Sequence, residues 1–409
     1  MLFTDHGLSA AEVSTLFIIW STTAFLLEMP SGAWADVFSR RKLLVLGSLI
    51  GGLGFASWIV VPSYAGFAVG FVLWGISSAL ISGTFEALVY DELSARGAAD
   101  RYAGLIGRSK AAALVLNLVA TALASPLYQL GGYPLVGAIS VLTCLVHAAV
   151  ALSLPEATRV ATADETEEVE EARIAHADAK SGADTKSGAD TKSGAGAEDG
   201  LGVLGRYFLM LRLGLSEVST SGTVRKAVGL VALLGGFLAF DEYFPLLARE
   251  IGASTTLVPF LIAGTVAAQA IGGALAGPAY RMRSSFLAAG LALSAGLLAW
   301  GALSGTAPGF VPIAVGYGVM QLVIIVAEAR LQDAITGPAR ATVTSVSGLF
   351  AEVFAVTVYA GFALGSIWVS LPVLVAGLTI PVLLTAFITP IALPAPAAVG
   401  SEVEERAEG

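Results

Sequence analysis

Apolar runs of about 20 residues recur along this chain, and a run of that length is what a helix needs to cross a bilayer's hydrocarbon core. They lie near 14–35, 43–61, 65–89, 105–124 and 134–154, and after a long interruption near 226–247, 254–277, 284–304, 309–332, 342–366 and 369–389. The fold expected from these eleven runs is all-α and polytopic. Composition agrees: 56% of the 409 residues are hydrophobic and 13% charged, against about 25% charged in soluble domains.

The net charge of −9 is localised. Residues 155–200 hold 12 acidic and 5 basic residues, and residues 401–409 hold 4 and 1, which leaves the apolar body at +1. The two acidic segments read as solvated spacers. Cys144 is the single cysteine, so no intramolecular disulfide forms, and it reads as a small core residue. There is no cationic stretch leading into a short apolar one, so no cleavable signal peptide is evident. No phosphate-binding glycine loop or zinc-ligand spacing occurs, which argues against an ATP-driven pump, a metalloenzyme or any other enzyme, and no cofactor is expected. The expected partners are a small-molecule substrate, protons and the lipid bilayer, with no nucleic acid and a monomeric state.

Cations set the orientation. Arg40, Arg41 and Lys42 fill one loop; Arg96, Arg101, Arg108 and Lys110 follow two spans later; Arg206, Arg212, Arg225 and Lys226 flank the central interruption; Arg281, Arg283, Arg330 and Arg340 continue the series. All fall on one side, while loops near 62–64, 125–133, 305–308 and 367–371 carry no charge. The cationic side is expected to be cytoplasmic, in a plasma membrane.

The two halves resemble each other. Ser31-Gly32-Ala33-Trp34-Ala35 with Arg40 and Lys42 aligns with Gly272-Gly273-Ala274-Leu275-Ala276 with Arg281 and Arg283, at an offset of 241. Glu86-Ala87 with Asp91 aligns with Glu328-Ala329 with Asp333, at an offset of 242. Two matches at nearly one offset indicate duplication. Shifted back by that offset, the span at 226–247 falls almost wholly before residue 1, so the first half lacks its first helix; Met1 to Asp5 reads as that helix's outer end. An upstream start codon is the favoured explanation and a genuine eleven-span product the alternative.

Four segments follow: an N-terminal bundle over 1–155, a linker over 156–222, a C-terminal bundle over 223–391 and an acidic tail over 392–409. The linker repeats Lys180-Ser181-Gly182-Ala183-Asp184-Thr185 from Lys186 and, imperfectly, from Lys192, a tract that cannot bury a core. Its residues 201–215, with Arg206 and Arg212 in an apolar stretch too short to span, read as an interfacial amphipathic helix.

The polar break at Gly32, Asp36, Arg40 and Arg41, the duplication, the long linker and the span count resemble the major facilitator superfamily, whose loop pattern is Gly-x-x-x-Asp-x-x-Gly-Arg-Arg/Lys. The chain departs from it at Ser39, where the family has Gly, and Ser tolerates a left-handed turn less well. The second copy has Gly277 in place of the Asp. The resemblance implies two pseudo-symmetric bundles, twelve helices in the family, and alternating access. It also implies that Asp36 caps the eleventh family helix near Thr342, where helix-end amides favour a carboxylate, and that Arg40 pairs with Asp91. With Gly32, these residues form the expected latch between halves. The competing reading is that Arg40 to Lys42 only set topology.

Carboxylates inside spans are costly and are functional candidates by default. Glu28 lies eight residues before Asp36, about 12 Å deeper; Glu352 lies ten beyond Thr342, about 15 Å deep. If Asp36 meets the start of that helix, Glu28 and Glu352 share a depth across the interface, and two such acids in low dielectric cannot both ionise cheaply. Structural, hydrogen-bonded carboxylates are the plainer reading. Glu86 and Glu328, with Ser82, Tyr90, Gln321 and Gln332 on their helices, are candidate substrate contacts or acids neutralised by Arg108 or Arg330. Asp241 and Glu242, ahead of Pro245, read equally as an outer gate or as headgroup-region residues. His147 is more plausible as a packed residue than as a proton carrier. Asn117 and Gln269 read as interhelical hydrogen-bonding groups, and the pairs Gly47/Gly51 and Gly361/Gly365 as close-packing sites.

The expected function is secondary transport, proton-coupled export of an amphipathic compound, since intramembrane acids outnumber cations. An uptake permease of the same fold is the first alternative, and a non-transporting receptor or scaffold the second.

Overall fold

In the computed structural model, residues 1–98, 101–155, 222–335 and 340–396 are described, without the side chains of 28–37, 103, 340–342, 344 and 345. The helices of the first half are α1 (Leu2–Asp5), α2 (Ala10–Val37), α3 (Arg40–Val60), α4 (Tyr64–Ile81), α5 (Thr84–Ala95) and α6 (Tyr102–Ser153). Those of the second are α7 (Gly222–Gly236), α8 (Phe244–Glu250), α9 (Val258–Ala279), α10 (Ser284–Leu303), α11 (Phe310–Ala334), α12 (Arg340–Gly365) and α13 (Leu371–Ala392). The linker expected at 156–222 lies outside the described residues up to its last position, Gly222, which opens α7; so does the tail beyond 396.

Ten helical stretches among the described residues are long and apolar enough to cross a membrane. The longest, Gly104–Ser153, has 50 residues, far beyond the roughly 20 that a bilayer requires. It folds back at Gly131 and at Gly132, whose φ of +62° suits a residue without a Cβ. It therefore supplies the two crossings expected at 105–124 and 134–154, and the total is eleven.

Local chemistry explains the helix starts. Ser9 and Glu12 form a reciprocal cap on α2, the Ser9 amide donating to Glu12 Oε2 at 2.8 Å and the Glu12 amide to Ser9 Oγ at 3.2 Å. Ser39, where a left-handed glycine turn was expected to be needed, has φ −58° and ψ 119° and accepts from the Lys42 amide at 3.2 Å. A serine cap replaces the glycine turn, and Ser39 carries no left-handed strain.

Helices pack within each half, α2 on α4 and α3 on α4 and α6 in the first, α9 on α11, α10 on α11 and α13, and α7 on α12 in the second. Across the seam, α2 meets α12 and α6 meets α9. Small residues set the closest approaches. A Cβ at Gly272 would stand 2.0 Å from the Gly318 carbonyl oxygen, and one at Gly318 would stand 2.6 Å from that of Ala268. Gly47 and Gly51 also serve close packing, a Cβ there meeting Ile81 at 2.9 Å and Ser77 at 2.8 Å. Gly361 does not: it faces open space, and Gly365 abuts only the flexible end of Leu374.

Since backbone cannot yield as a side chain can, Gly272→Val is expected to destabilise the second half by about 1–3 kcal/mol. Gly361→Val is expected to leave the melting temperature in detergent unchanged, so thermal unfolding of the two variants checks the packing.

Candidate functional site

The crossing that begins with α7 is interrupted. A 3-10 segment, Phe237–Tyr243, separates α7 from α8. Pro245 stands in the first turn of α8; it has no N–H, and its ring crowds the carbonyl four residues back, that of Asp241. Gly235 and Gly236 precede the interruption and admit α12: a Cβ on Gly236 would lie 2.5 Å from Phe354 Cβ and 3.2 Å from the Ala351 carbonyl. Two glycines and one proline thus shape the stretch that carries Asp241 and Glu242 beside α12, which carries Glu352.

The carboxylate of Asp241 lies in the 3-10 segment, with the side chains of Tyr317 and Gln269 near it. Tyr317 is fully buried, and its hydroxyl donates to the Leu238 carbonyl at 2.9 Å. Tyr359 lies within electrostatic reach of Asp241, Glu242 and Glu352 alike. Glu352 accepts a hydrogen bond from the Ser21 hydroxyl of α2, in the other half. Among the described residues no lysine or arginine pairs with any of the three acids.

An aromatic layer stands on the side of the cluster away from the cationic loops. Tyr243 stacks on Phe362 with centroids 3.5 Å apart, meets Phe17 edge-on at 5.8 Å and donates to Ser14 Oγ at 2.9 Å. Phe17 also touches Tyr359, at 5.5 Å. On the other side a cavity of about 490 Å³ is lined by Gly235, Ala351, Ser347, Glu328 and Gln332.

Several expectations are revised here. Asp241 and Glu242 are half-buried on the 3-10 segment, between buried Phe240 and buried Tyr243. Glu352 is level with Ser21, not with Glu28, which lies seven residues farther along α2, about 10 Å; the shared depth fails because the α2–α12 register is displaced by two turns. The side chains of Glu28, Gly32 and Asp36, and of Thr342, fall outside the described residues. Glu86 faces Lys110 at 4.0 Å rather than Arg108. Arg330 does not neutralise Glu328. It is fully buried and donates to Tyr280 O, Met282 O, Ser284 Oγ and Pro394 O, tying the loop before α10 to the end of α13. Gln321 is half-buried on α11, two turns from the cavity-lining Glu328. His147 Nδ1 meets Ser48 Oγ at 2.7 Å, Gln269 does bridge helices, and Asn117 is exposed on α6.

Arg40 and Asp91 form an ion pair, joining the foot of α3 to α5. The corresponding place in the second half is filled differently: Tyr280, not Arg281, donates to Asp333. Arg281 and Arg283 are exposed.

Sequence reasoning missed the contact at the opposite end. Arg249 Nη2 donates to Asp5 Oδ1 at 3.0 Å across the seam, and Tyr133, beside the break in α6, donates to the same carboxylate. Farther along, Ser125 Oγ donates to the Thr256 carbonyl at 2.7 Å. Asp5 and Arg249 are 244 positions apart, beyond the reach of any local motif. Ser14 and Ser21, at seven-residue spacing on α2, were the one readable sign of a polar stripe. Trp20 Nε1, next to Ser21, is buried with no hydrogen-bond partner among the described residues.

Removing one charge of a partly exposed pair costs at most about 1 kcal/mol. Asp5→Asn is therefore expected to raise the population open at this end about two- to fivefold. Spin labels at Pro62 and Thr306, in a Cys144→Ala background, measure it as growth of a longer-distance component; an unchanged distribution would remove Asp5–Arg249 as a clamp.

Solved structures share this architecture. The nucleoside transporter NupG superposes with a TM-score of 0.63 at 12% identity, covering 96% of this chain and 91% of that one. A D-xylose-proton symporter gives 0.65 at 15%, covering 96% and 91%, and an auto-inhibited POT family peptide transporter gives 0.66 at 14%, covering 96% and 90%. No curated protein sequence matches the chain. The family model described as Major Facilitator Superfamily matches residues 1–358, most of the 409, and the chain belongs to that superfamily.

Proposed function

We propose that this protein is a proton-coupled secondary transporter working by alternating access, and that it exports an amphipathic compound across a plasma membrane with its cationic loops in the cytoplasm. The observation that carries the reading is the cluster of Asp241, Glu242 and Glu352 at the seam, without a cation partner among the described residues. Adjacent carboxylates such as Asp241 and Glu242 hold a proton between them in low dielectric more cheaply than two charges, and Tyr359 stands within reach of both and of Glu352. Glu352 accepts a hydrogen bond from Ser21 of the other half, so a change at this acid bears directly on the seam. Glu28 continues the seven-residue spacing of Ser14 and Ser21 on α2 and is a second relay position toward the cationic end. The cavity lined by Glu328 and Gln332 offers a path for substrate on that side, and the buried Trp20 N–H stands one residue from Ser21 as a donor for a substrate acceptor. The Asp36, Arg40 and Asp91 group acts as the latch at the cationic end, and the Asp5–Arg249 clamp at the other.

Uptake is the second reading, favoured by the similar structures: one is a D-xylose-proton symporter, and the others are a nucleoside transporter and a peptide transporter. Both readings use the same acids and differ in the direction of substrate relative to the proton.

Flux in proteoliposomes with an imposed pH gradient separates them, with ethidium as an amphipathic cation and xylose or uridine as polar solutes. Movement of ethidium against the proton flow supports export; movement of the polar solutes with it supports uptake. In either case Glu352→Gln and Asp241→Asn are expected to lower gradient-driven flux about tenfold or more, roughly 1.4 kcal/mol of barrier, while gradient-free exchange persists. Flux that ignores the gradient in wild type and variants would sink proton coupling.

A further inference from the structure

A groove of about 650 Å³ runs between α7, α12 and α13 at the cationic end. Its mouth carries Arg225 and Lys226, both exposed, in the first turn of α7; every other lining residue is apolar or glycine, with Phe350, Phe354, Ile388 and Ile391 the large ones. We propose that this groove binds one anionic glycerophospholipid, its phosphate held between Arg225 and Lys226 and an acyl chain laid along the aromatic and isoleucine wall. This goes beyond the transport reading and does not rest on it.

The argument is one of charge and shape together. Several other cations at this end are answered within the protein: Arg40 by Asp91, Arg96 by Glu92 at 2.7 Å, Lys110 by Glu86 at 4.0 Å, and Arg330 by four oxygen acceptors. Arg281 and Arg283 are exposed but do not line this groove. Arg225 and Lys226 have no carboxylate partner among the described residues, and the groove beneath them contributes none. A free phosphate would answer the charges and leave the apolar slot empty. The chain's own segment 201–215 would fill the slot but bring Arg206 and Arg212 to two further cations. A lipid with an anionic head answers both features, and basic pockets between helices at a membrane face are suited to such heads. Amides at the start of α7 add to the positive potential.

Occupancy reaches the acidic cluster through packing. Phe354 forms part of the groove wall and stands against Gly236, where a Cβ would come within 2.5 Å of it. Gly236 adjoins the 3-10 segment bearing Asp241, and Glu352 lies two residues from Phe354. A chain in the groove therefore presses α12 onto α7 at the notch that brings the acids together.

The test is native mass spectrometry of the full chain in neutral detergent, titrated with phosphatidylglycerol or with phosphatidylcholine of the same acyl chains. Phosphatidylglycerol is expected to be retained preferentially. The double variant Arg225→Gln, Lys226→Gln is expected to lower its affinity about 25-fold, about fivefold per charge, while Arg281→Gln with Arg283→Gln, exposed cations of the same end, leaves it unchanged. A photo-reactive side chain at Ile391 is expected to yield a phosphatidylglycerol adduct in the otherwise unaltered chain. The proposal is overturned by equal binding of both lipids, by wild-type affinity in the Arg225, Lys226 variant, by glycerol 3-phosphate competing as well as the whole lipid, or by a photo-adduct to residues 201–215.

Discussion

A carboxylate inside a bilayer must find a donor, a cation or a proton, and at the centre of a spanning helix an acidic residue costs about 2.5–3.5 kcal/mol on insertion scales. The architecture around Asp241, Glu242 and Glu352 answers that demand. Gly235 and Gly236 let α12 approach, and Pro245 and the 3-10 segment interrupt the α-helical ladder where Asp241 and Glu242 stand. Tyr317, Tyr359 and Gln269 supply the polar surroundings from three other helices, and Ser21 supplies a donor from the other half. Removing the interruption would restore a regular helix and scatter the acids.

The seam is built from the same stripe of α2. Ser14, Phe17 and Ser21 occupy one helical face and meet Tyr243, Tyr359 and Glu352 in turn. Its polar links are single hydrogen bonds, each contributing only about 1 kcal/mol net, beside a buried apolar cluster that joins Val13, Leu16 and Phe17 to the second half. An interface of this kind holds one arrangement of the halves without making the alternative inaccessible.

Much of the fold was legible because hydrophobic run length is a direct consequence of bilayer thickness. The eleven crossings follow from it, and so does the pairing of Arg40 with Asp91 once the family loop is seen. Depth was less legible. Glu28 and Glu352 were set level by counting from a helix end, yet helices slide by whole turns, and Ser21 is what Glu352 meets. Asp241 and Glu242 read ambiguously because a count of residues from a loop cannot tell a straight helix from one broken by a 3-10 turn. The pair Asp5–Arg249 left no local trace at all, since nothing in either neighbourhood names the other.

The duplicated loops have diverged in their chemistry. In the first half the foot of α3 is tied to α5 by a guanidinium on a carboxylate, Arg40 on Asp91; in the second, a phenol, Tyr280, reaches the matching Asp333. Two opposite charges attract through the solvent and weaken as salt screens them, whereas a neutral hydroxyl on a carboxylate feels salt far less. One bundle is thus tethered by a largely buried charge pair and its twin by a neutral donor on a carboxylate, so the two feet of the pseudo-symmetric molecule are held by different chemistry.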